Sequence, residues 1–351
     1  MSHDGVVDQM ARDVVAEALD SWPSPLEATV FGTEHPYRIV RLLHAYCRDH
    51  LGAELTTLLF YRRGVGAVFG LRLADGRAVV VKVHRPDLVG GRMAGVVQIQ
   101  RHLADLGLPA PRPFVAPARL GPGIATAEEL LDPGTVGDGH LPKVREGIAR
   151  GLHEFVAAAS DLVGRVYLHE ASPYGLPPER LWPIPHDLRF DLTLPGGEWI
   201  DALAAQARER LGDPSGDFVI GHCDWRVENL RIEGDRIVAI FDWDSVHRLP
   251  EPGLVGGNAA GFSADYTVSI GDPRPSREES RTFVSDYEVA RGRPFTRTEI
   301  DTANAAYVYT LAYSARCEHS DVTTGAFPDP GVDGGWRGLL RQTEDGPLLR
   351  R

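Results

Sequence analysis

The sequence predicts an α+β fold in two lobes, with a small antiparallel sheet first and a larger, mainly helical part after it. Strand-like runs follow one another closely between Leu55 and His84. Helical periodicity dominates from Pro142 onward. Between them, Glu128-Glu129-Leu130-Leu131-Asp132-Pro133-Gly134 breaks the sheet pattern and offers a hinge. The predicted organisation is a helical extension over 1–50, a sheet lobe over 51–127, the hinge over 128–134 and a helical lobe over 135–325. A poorly ordered tail rich in glycine, proline and charge follows over 326–351.

A chain of 351 residues is long enough for two packed units. Its 43% apolar and 25% charged residues are ordinary for a globular protein. The formal charge of −12 argues against non-specific nucleic-acid binding, which needs basic patches. It suits a cationic ligand, and equally it simply keeps a protein soluble. Cys47, Cys223 and Cys317 are far apart, odd in number and without metal-ligand spacing, as in the reducing cytoplasm. Met1-Ser2-His3-Asp4 opens no secretory signal. No apolar run approaches the roughly 20 residues of a membrane span. The expectation is a cytoplasmic monomer or homodimer with no membrane or nucleic-acid partner.

In the first third, Val7, Met10, Val14, Val15 and Leu19 share one helical face, and Trp22-Pro23-Ser24-Pro25 ends that helix. A second helix runs from Pro36 to His50 and stops at Gly52. From Leu55 the period becomes two. Strands are predicted over 55–61, 68–73 and 78–84, with Asp75-Gly76 as a hairpin turn. The loop Arg62-Arg63-Gly64-Val65-Gly66-Ala67 joins the first two. Gly64, Gly66 and Ala67 would let backbone N–H groups approach a phosphate. An ordinary hairpin loop reads the same, and Gly70 stands one residue later than a third phosphate-loop glycine would. Lys82 lies inside an otherwise apolar strand, which points either to an anionic partner or to a solvent-facing edge of the sheet. A helix over 92–106 follows, and then short strands at 114–115 and 123–127.

In the middle, helices are predicted over 142–167 and 198–211, separated by an irregular, proline-rich stretch over 171–197. Then comes Phe218-Val219-Ile220-Gly221-His222-Cys223-Asp224, with Asn229 five residues after the aspartate. The turn Glu233-Gly234-Asp235 leads into a return strand, Arg236 to Phe241, expected to bring Asp242 to the same end of a hairpin as Asp224. Phosphoryl transfer needs this set of parts. One carboxylate, Asp224, accepts a hydroxyl proton, while an amide, Asn229, and a second carboxylate, Asp242, hold Mg²⁺. Each of these residues also serves as a turn, cap or packing residue in many folds. It is their order, with a glycine loop and a strand lysine upstream, that points to chemistry.

Over roughly residues 50–320 the chain resembles the aminoglycoside phosphotransferase and choline kinase superfamily. The residues that carry the likeness are the Gly64/Gly66 loop, Lys82, the stretch from Glu128 to Gly134, His222-Cys223-Asp224 with Asn229, and Phe241-Asp242-Trp243-Asp244. The resemblance implies a protein-kinase-like fold and transfer of the γ-phosphate of ATP or GTP to a small-molecule hydroxyl. An antibiotic inactivated in this way is the leading acceptor, and a choline, homoserine or thio-sugar kinase is the alternative. A catalytically dead nucleotide-binding protein is a third reading. The implied cofactors are Mg²⁺ and the nucleotide, the latter bound also at Glu129 and Leu131, with His222 bracing the loop. Such kinases pair the strand lysine with a helix glutamate. Here the 92–106 helix has only Gln98 and Gln100 before Asp105, so a glutamine, with Gln98 the named candidate, hydrogen-bonds the lysine without charge or an acid from elsewhere serves.

The last third predicts helices over 254–267, 276–291 and 300–319. Late acidic and aromatic residues line acceptor pockets in this superfamily, which makes Tyr313 and Glu318, with Arg226 and Asp244 near the motifs, the candidate substrate residues. Trp182, Trp225 and Trp243 could cage a quaternary ammonium.

Overall fold

The computed structural model describes residues 9–21, 25–89, 91–266 and 272–350. The start of the first expected helix, the break at Trp22 to Ser24, and Gly271 lie outside them. The chain forms two units. One comprises Met1–Ala104, Pro111–Asp132 and His186–Arg189; the other comprises Asp105–Ala110, Pro133–Pro185 and Phe190–Arg351.

The first unit is built on five antiparallel strands in the order β1-β2-β3-β5-β4. They are β1 (Leu55–Arg63), β2 (Ala67–Leu73), β3 (Ala78–His84), β4 (Ala118–Leu120) and β5 (Gly123–Glu129). Strand alternation decides the faces. Phe69, Leu71, Val79, Val81, Val83 and Ala127 enter one core, shared with Val30, Phe31, Ile39 and Leu43. Those partners come from helices α2 (Leu26–Phe31) and α3 (Pro36–Tyr46), which follow a π-helical turn at Ala11–Ala16 and α1 (Glu17–Ser21). Gly52, at φ 69°, ends the π turn that continues α3 to Leu51. Two further helical elements complete the unit, the single turn α4 (Pro86–Val89) and the longer α5 (Met93–Asp105).

The strand expected at 114–115 does not form. Pro113 makes a single bridge to Glu128, and the edge strand lies later, at β4. Proline has no N–H for a ladder, so regular pairing waits until the chain has passed Pro113 and Pro117. Strand β5 also continues through Glu128 and Glu129, which extends the sheet into the expected hinge.

At the margin of this core sits a fully buried carboxylate, Glu27. It accepts from Arg63 Nε at 2.6 Å and from the second Arg63 nitrogen at 2.8 Å, and the Tyr61 hydroxyl also donates to it. The Tyr61 ring stacks on Phe69 at 4.3 Å. A buried carboxylate persists only when paired and hydrogen-bonded in this way.

The second unit holds α6 (Pro142–Ala158), α7 (Glu198–Arg210), α8 (Glu251–Ala259), α9 (Arg277–Arg291), α10 (Arg297–Thr324) and α11 (Gly335–Arg341). Helix α6 stops well before 167. A 3₁₀ turn, Ser160–Leu162, follows, with the Ser160 hydroxyl on the Ala157 carbonyl at 2.7 Å and Gly164 at φ 75°. Helix α8 begins earlier than expected because Pro252 fits its first turn, where no N–H is needed. Helices α9 and α10 open with capping boxes, Ser276/Glu279 and Thr296/Glu299. At Gly256 an added Cβ would meet the Ala303 carbonyl at 2.1 Å, so α8 and α10 meet backbone to backbone.

Two small sheets carry the motifs: β6 (Phe218–His222) with β9 (Val246–Pro250), and β7 (Leu230–Glu233) with β8 (Arg236–Ile240). Asp224 and Asp242 therefore do not share one hairpin. The strand before Asp224 pairs with the strand after Asp242, while β7 and β8 turn back on each other at Gly234, φ 65°.

The tail is not loose. Glu318 accepts the N–H groups of Trp336 and Arg337 at 2.9 and 3.0 Å, and so caps α11. Leu340 and Leu348 are buried, and the Asn304 side chain pairs with both backbone groups of Leu349. Composition suggested disorder, but a few apolar anchors and one distant carboxylate outweigh it.

Removing Glu27 alone would leave Arg63 without its carboxylate. Glu27→Ala should lose about 3 kcal/mol in urea unfolding. The double variant Glu27→Ala/Arg63→Met should lose clearly less than the sum of its singles. Additive losses would show that the pair is not the source of the effect.

Candidate active site

Strand β6 ends in His222, which is fully buried, and the chain then leaves the sheet. His222 Nε2 lies 2.9 Å from the Phe241 carbonyl, and Nδ1 accepts the Asp224 N–H at 3.3 Å. One neutral tautomer satisfies both bonds, with the proton on Nε2. The imidazole thus fixes Asp224 and the residue before Asp242 together.

Asn258 of α8, which the motif reading passed over, holds the loop from the other side. Its amide nitrogen donates to the His222 carbonyl at 3.0 Å, and its oxygen accepts the Trp225 N–H at 3.0 Å. The signal for it was a lone amide in a run of small, apolar residues, Gly256-Gly257-Asn258-Ala259-Ala260, since a buried amide needs partners. Below the loop, Phe155 of α6 packs against Trp225 and Trp243, with ring centroids at 5.8 and 5.7 Å. Both indoles are buried and donate to main-chain carbonyls, Ile148 at 2.8 Å and Ile240 at 2.9 Å. They are core residues and cannot cage a cation. Trp182 lies instead with Tyr309 and Tyr313.

Asn229 returns to Asp224. Its amide nitrogen donates to the Asp224 carbonyl at 2.9 Å and to Asp224 Oδ2 at 2.8 Å. The amide oxygen is then the group Asn229 can offer to a metal. Phe241 N–H donates to the Asn229 carbonyl at 2.8 Å, which ties the start of the Asp242 turn to the same loop. Asp242 is the one non-glycine described residue with positive φ, at φ 62° and ψ 48°. Its Oδ2 accepts from the Ser245 hydroxyl at 3.3 Å, and its carbonyl accepts the Ser245 N–H at 3.0 Å. Asp244 lies in the short 3₁₀ turn that follows.

Arg226 Nε pairs with Asp224 Oδ1 at 3.2 Å, and a second Arg226 nitrogen lies 3.5 Å from Glu228. Its guanidinium stands 5.3 Å from the centre of the Tyr266 ring. Burial alone would lower the Arg226 pKa, but Asp224, then Glu228, Tyr266 and Asp242, outweigh it and hold it above the usual value. Burial pushes the Glu228 carboxyl up, against the pull of Arg226.

Asn229 and Asp242 supply only oxygen donors, which suits Mg²⁺ and not a soft transition metal. Among the described residues no cluster of three or more His, Cys, Asp or Glu could hold a metal by itself. An ion here would therefore complete its shell from phosphate and water, as Mg²⁺ does.

In the first unit, Gly66 is required by the fold. A Cβ there would lie 2.7 Å from the Val83 carbonyl and 3.6 Å from Lys82 Cε. Gly64 has open space around it, and its N–H bonds the Gly66 carbonyl at 3.1 Å. Ala67 is buried in β2 opposite Val83. Gly70 makes room for the Phe60 ring, which accounts for its offset from a phosphate-loop glycine. Lys82 lies half-buried on β3, opposite Val68 and Thr126. Glu129 is exposed, and its N–H bonds the Arg112 carbonyl at 3.0 Å; Leu131 is half-buried just beyond β5. Gln98 does not take the place of the helix glutamate. It is exposed, whereas Gln100 is buried, since helix geometry puts the two about 200° apart around α5.

Two substrate candidates are engaged elsewhere. Glu318 caps α11 and pairs with Arg274 and Arg337 at 3.5 and 3.2 Å. Tyr313 packs on the small apolar cluster of Phe190, Leu192 and Cys317.

The model of the phosphotransferase enzyme family matches residues 60–248. No curated protein matches the chain in sequence. Among solved structures, an amicoumacin kinase in complex with AMP-PNP, Ca²⁺ and Ami is similar, with a TM-score of 0.58 and 12% identity over 83% of this chain and 89% of that one. A Plasmodium vivax ethanolamine kinase is similar with a TM-score of 0.51 and 15% identity over 93% of this chain and 91% of that one. At these identities the likeness is one of fold, and the fold is protein-kinase-like.

The left-handed backbone at Asp242 gives a testable separation of stability from function. Asp242→Ala should lower stability by about 1 kcal/mol in urea, because a Cβ without a local hydrogen bond disfavours that region. Asp242→Gly should unfold at the same urea concentration as the parent or higher. If alanine and glycine behave alike, the backbone at 242 stores no strain.

Proposed function

The chain belongs to the phosphotransferase enzyme family, and on that premise we propose that it moves the γ-phosphate of ATP or GTP to a hydroxyl of a small molecule. The observation that carries this reading is the Asp224–Asn229 bond, with Phe241, the neighbour of Asp242, bound to the Asn229 carbonyl. In this reading the Asp224–Asn229 loop and the Asp242 turn tied to it would present a carboxylate to an acceptor and two oxygen donors to a metal.

In this reading Asp224 accepts the hydrogen bond, and then the proton, of the attacking hydroxyl. Transfer proceeds through a loose transition state, so holding that hydroxyl in line contributes more than basicity does. Asn229 holds one carboxylate oxygen by a hydrogen bond, Arg226 faces the other as an ion pair, and His222 fixes the backbone beneath them. The Asn229 amide oxygen and the Asp242 carboxylate would hold Mg²⁺. When bound, the ion neutralises charge on the phosphates. Lys82 would contact the phosphates, with the Gly64–Ala67 loop as their cover and the backbone at Glu129 and Leu131 beside the base.

For the acceptor we propose an antibiotic or a similar natural product. The superfamily resemblance and the shared fold with an amicoumacin kinase support this. None of the three cysteines forms a disulfide, which suits the reducing cytoplasm as the site of action. Among the described residues no helix is long and apolar enough to cross a membrane.

The test is nucleotide consumption against a panel of antibiotics and hydroxyl-bearing metabolites, with mass spectrometry of the product. A gain of one phosphate on one compound identifies reaction and acceptor together. A panel with no acceptor-dependent consumption speaks against the reading. Asp224→Ala should cut turnover by roughly 10²–10⁴ while nucleotide affinity changes little. Equal loss of both would make Asp224 a structural residue. Asp242→Asn should raise the Mg²⁺ concentration needed for half-maximal nucleotide binding, and an unchanged Mg²⁺ requirement would remove Asp242 from the metal site.

A further inference from the structure

The strand lysine of this chain has no glutamate on α5, yet a carboxylate does stand on its face of the sheet. In the β3–β5 ladder Lys82 lies opposite Thr126, and Val80 lies opposite Glu128. Side chains alternate along each strand, so Lys82, Thr126 and Glu128 share one face while Val81, Val83, Ala125 and Ala127 enter the core on the other. Glu128 is thus one diagonal step from Lys82, about 7–8 Å between backbone positions and within reach of a long side chain.

The helix above this face supplies a donor where other kinases supply an acid. Gln100 of α5 is 2% exposed. Its amide nitrogen donates to Glu128 Oε2 at 2.5 Å and to the Pro111 carbonyl at 2.8 Å, which uses both N–H groups. A glutamate at position 100 would set two carboxylates against each other at this distance. The glutamine on the helix and the glutamate on the strand therefore form one arrangement.

We propose that Glu128 is the carboxylate that positions Lys82, and that Gln100 holds it in place. The role that a helix glutamate performs in other kinases has moved onto β5. The proposal rests on the reading of Lys82 as the phosphate-binding lysine, and the pairing itself can be tested apart from that reading. Glu128 acts through Lys82 and is a positioning residue, not a catalytic one.

The experiment has two arms on the full chain. In the first, Lys82 is acetylated with acetic anhydride at one fixed pH without nucleotide, and its rate is followed by mass spectrometry. Only the uncharged amine reacts, and a nearby carboxylate favours the ammonium. Glu128→Gln should therefore label Lys82 about tenfold faster, the equivalent of one pKa unit. An unchanged rate in Glu128→Gln would overturn the proposal. The second arm measures Mg-nucleotide affinity in a cycle of Glu128→Gln and Lys82→Met. Glu128→Gln should weaken binding about tenfold alone and add almost nothing beside Lys82→Met. Additive losses would overturn the positioning role. A labelling shift with nucleotide affinity unmoved in Lys82→Met would keep the pair and reject the phosphate reading of Lys82.

Discussion

One buried imidazole ties the two turns of the candidate site together. His222 accepts from the backbone of Asp224 and donates to the carbonyl of Phe241, so two separate turns share a single side chain. Neither turn belongs to a ladder at that point, and each would otherwise leave a main-chain group to find another partner. Asn258 performs the complementary task, taking the carbonyl of His222 and the N–H of Trp225. The start of the loop between β6 and β7 therefore has its backbone held from two sides. Phe155, Trp225 and Trp243 fill the space beneath and keep water from competing for those bonds.

Several acidic residues show how little a side chain's identity says without its surroundings. Glu27 and Glu318 are both buried or nearly so, and both are fully engaged in holding the fold, one under the sheet and one at the start of α11. Asp224 has neighbours on both oxygens, yet about a third of its side chain meets solvent, which leaves lone pairs open. The net charge of −12 contains all of these and distinguishes none.

Much of the fold was legible because it rests on periodicity. The strand runs 55–61, 68–73 and 78–84 and the helices expected over 276–291 and 300–319 follow patterns of two and 3.6 that survive in the structure within about five residues, whereas the helix expected over 254–267 already ends at Ala259. What escaped were features settled by distant partners. Strand β9 is short and ends in proline, and it exists because β6 needs an antiparallel neighbour. Helix α11 depends on a carboxylate from α10. In the site, the order of His222, Asp224, Asn229 and Asp242 was readable because it is local. Asn258 and Gln100 were not, since a buried amide gains meaning only from the groups it faces. The choice between Gln98 and Gln100 turned on which side of α5 meets the sheet, a tertiary fact.

The left-handed turn at Asp242 has a bearing on how such a protein would drift over generations. Few residues accept that backbone, chiefly glycine, asparagine and aspartate. Codons for asparagine and glycine each lie one nucleotide from those for aspartate. The commonest tolerated changes at this position would thus produce a chain that folds as before and lacks the carboxylate. Selection for stability would not remove them, so on the proposed role of Asp242 it is selection for phosphoryl transfer that would preserve the aspartate. A lineage that no longer needed the reaction would lose it here first, and would retain an intact scaffold available for another use.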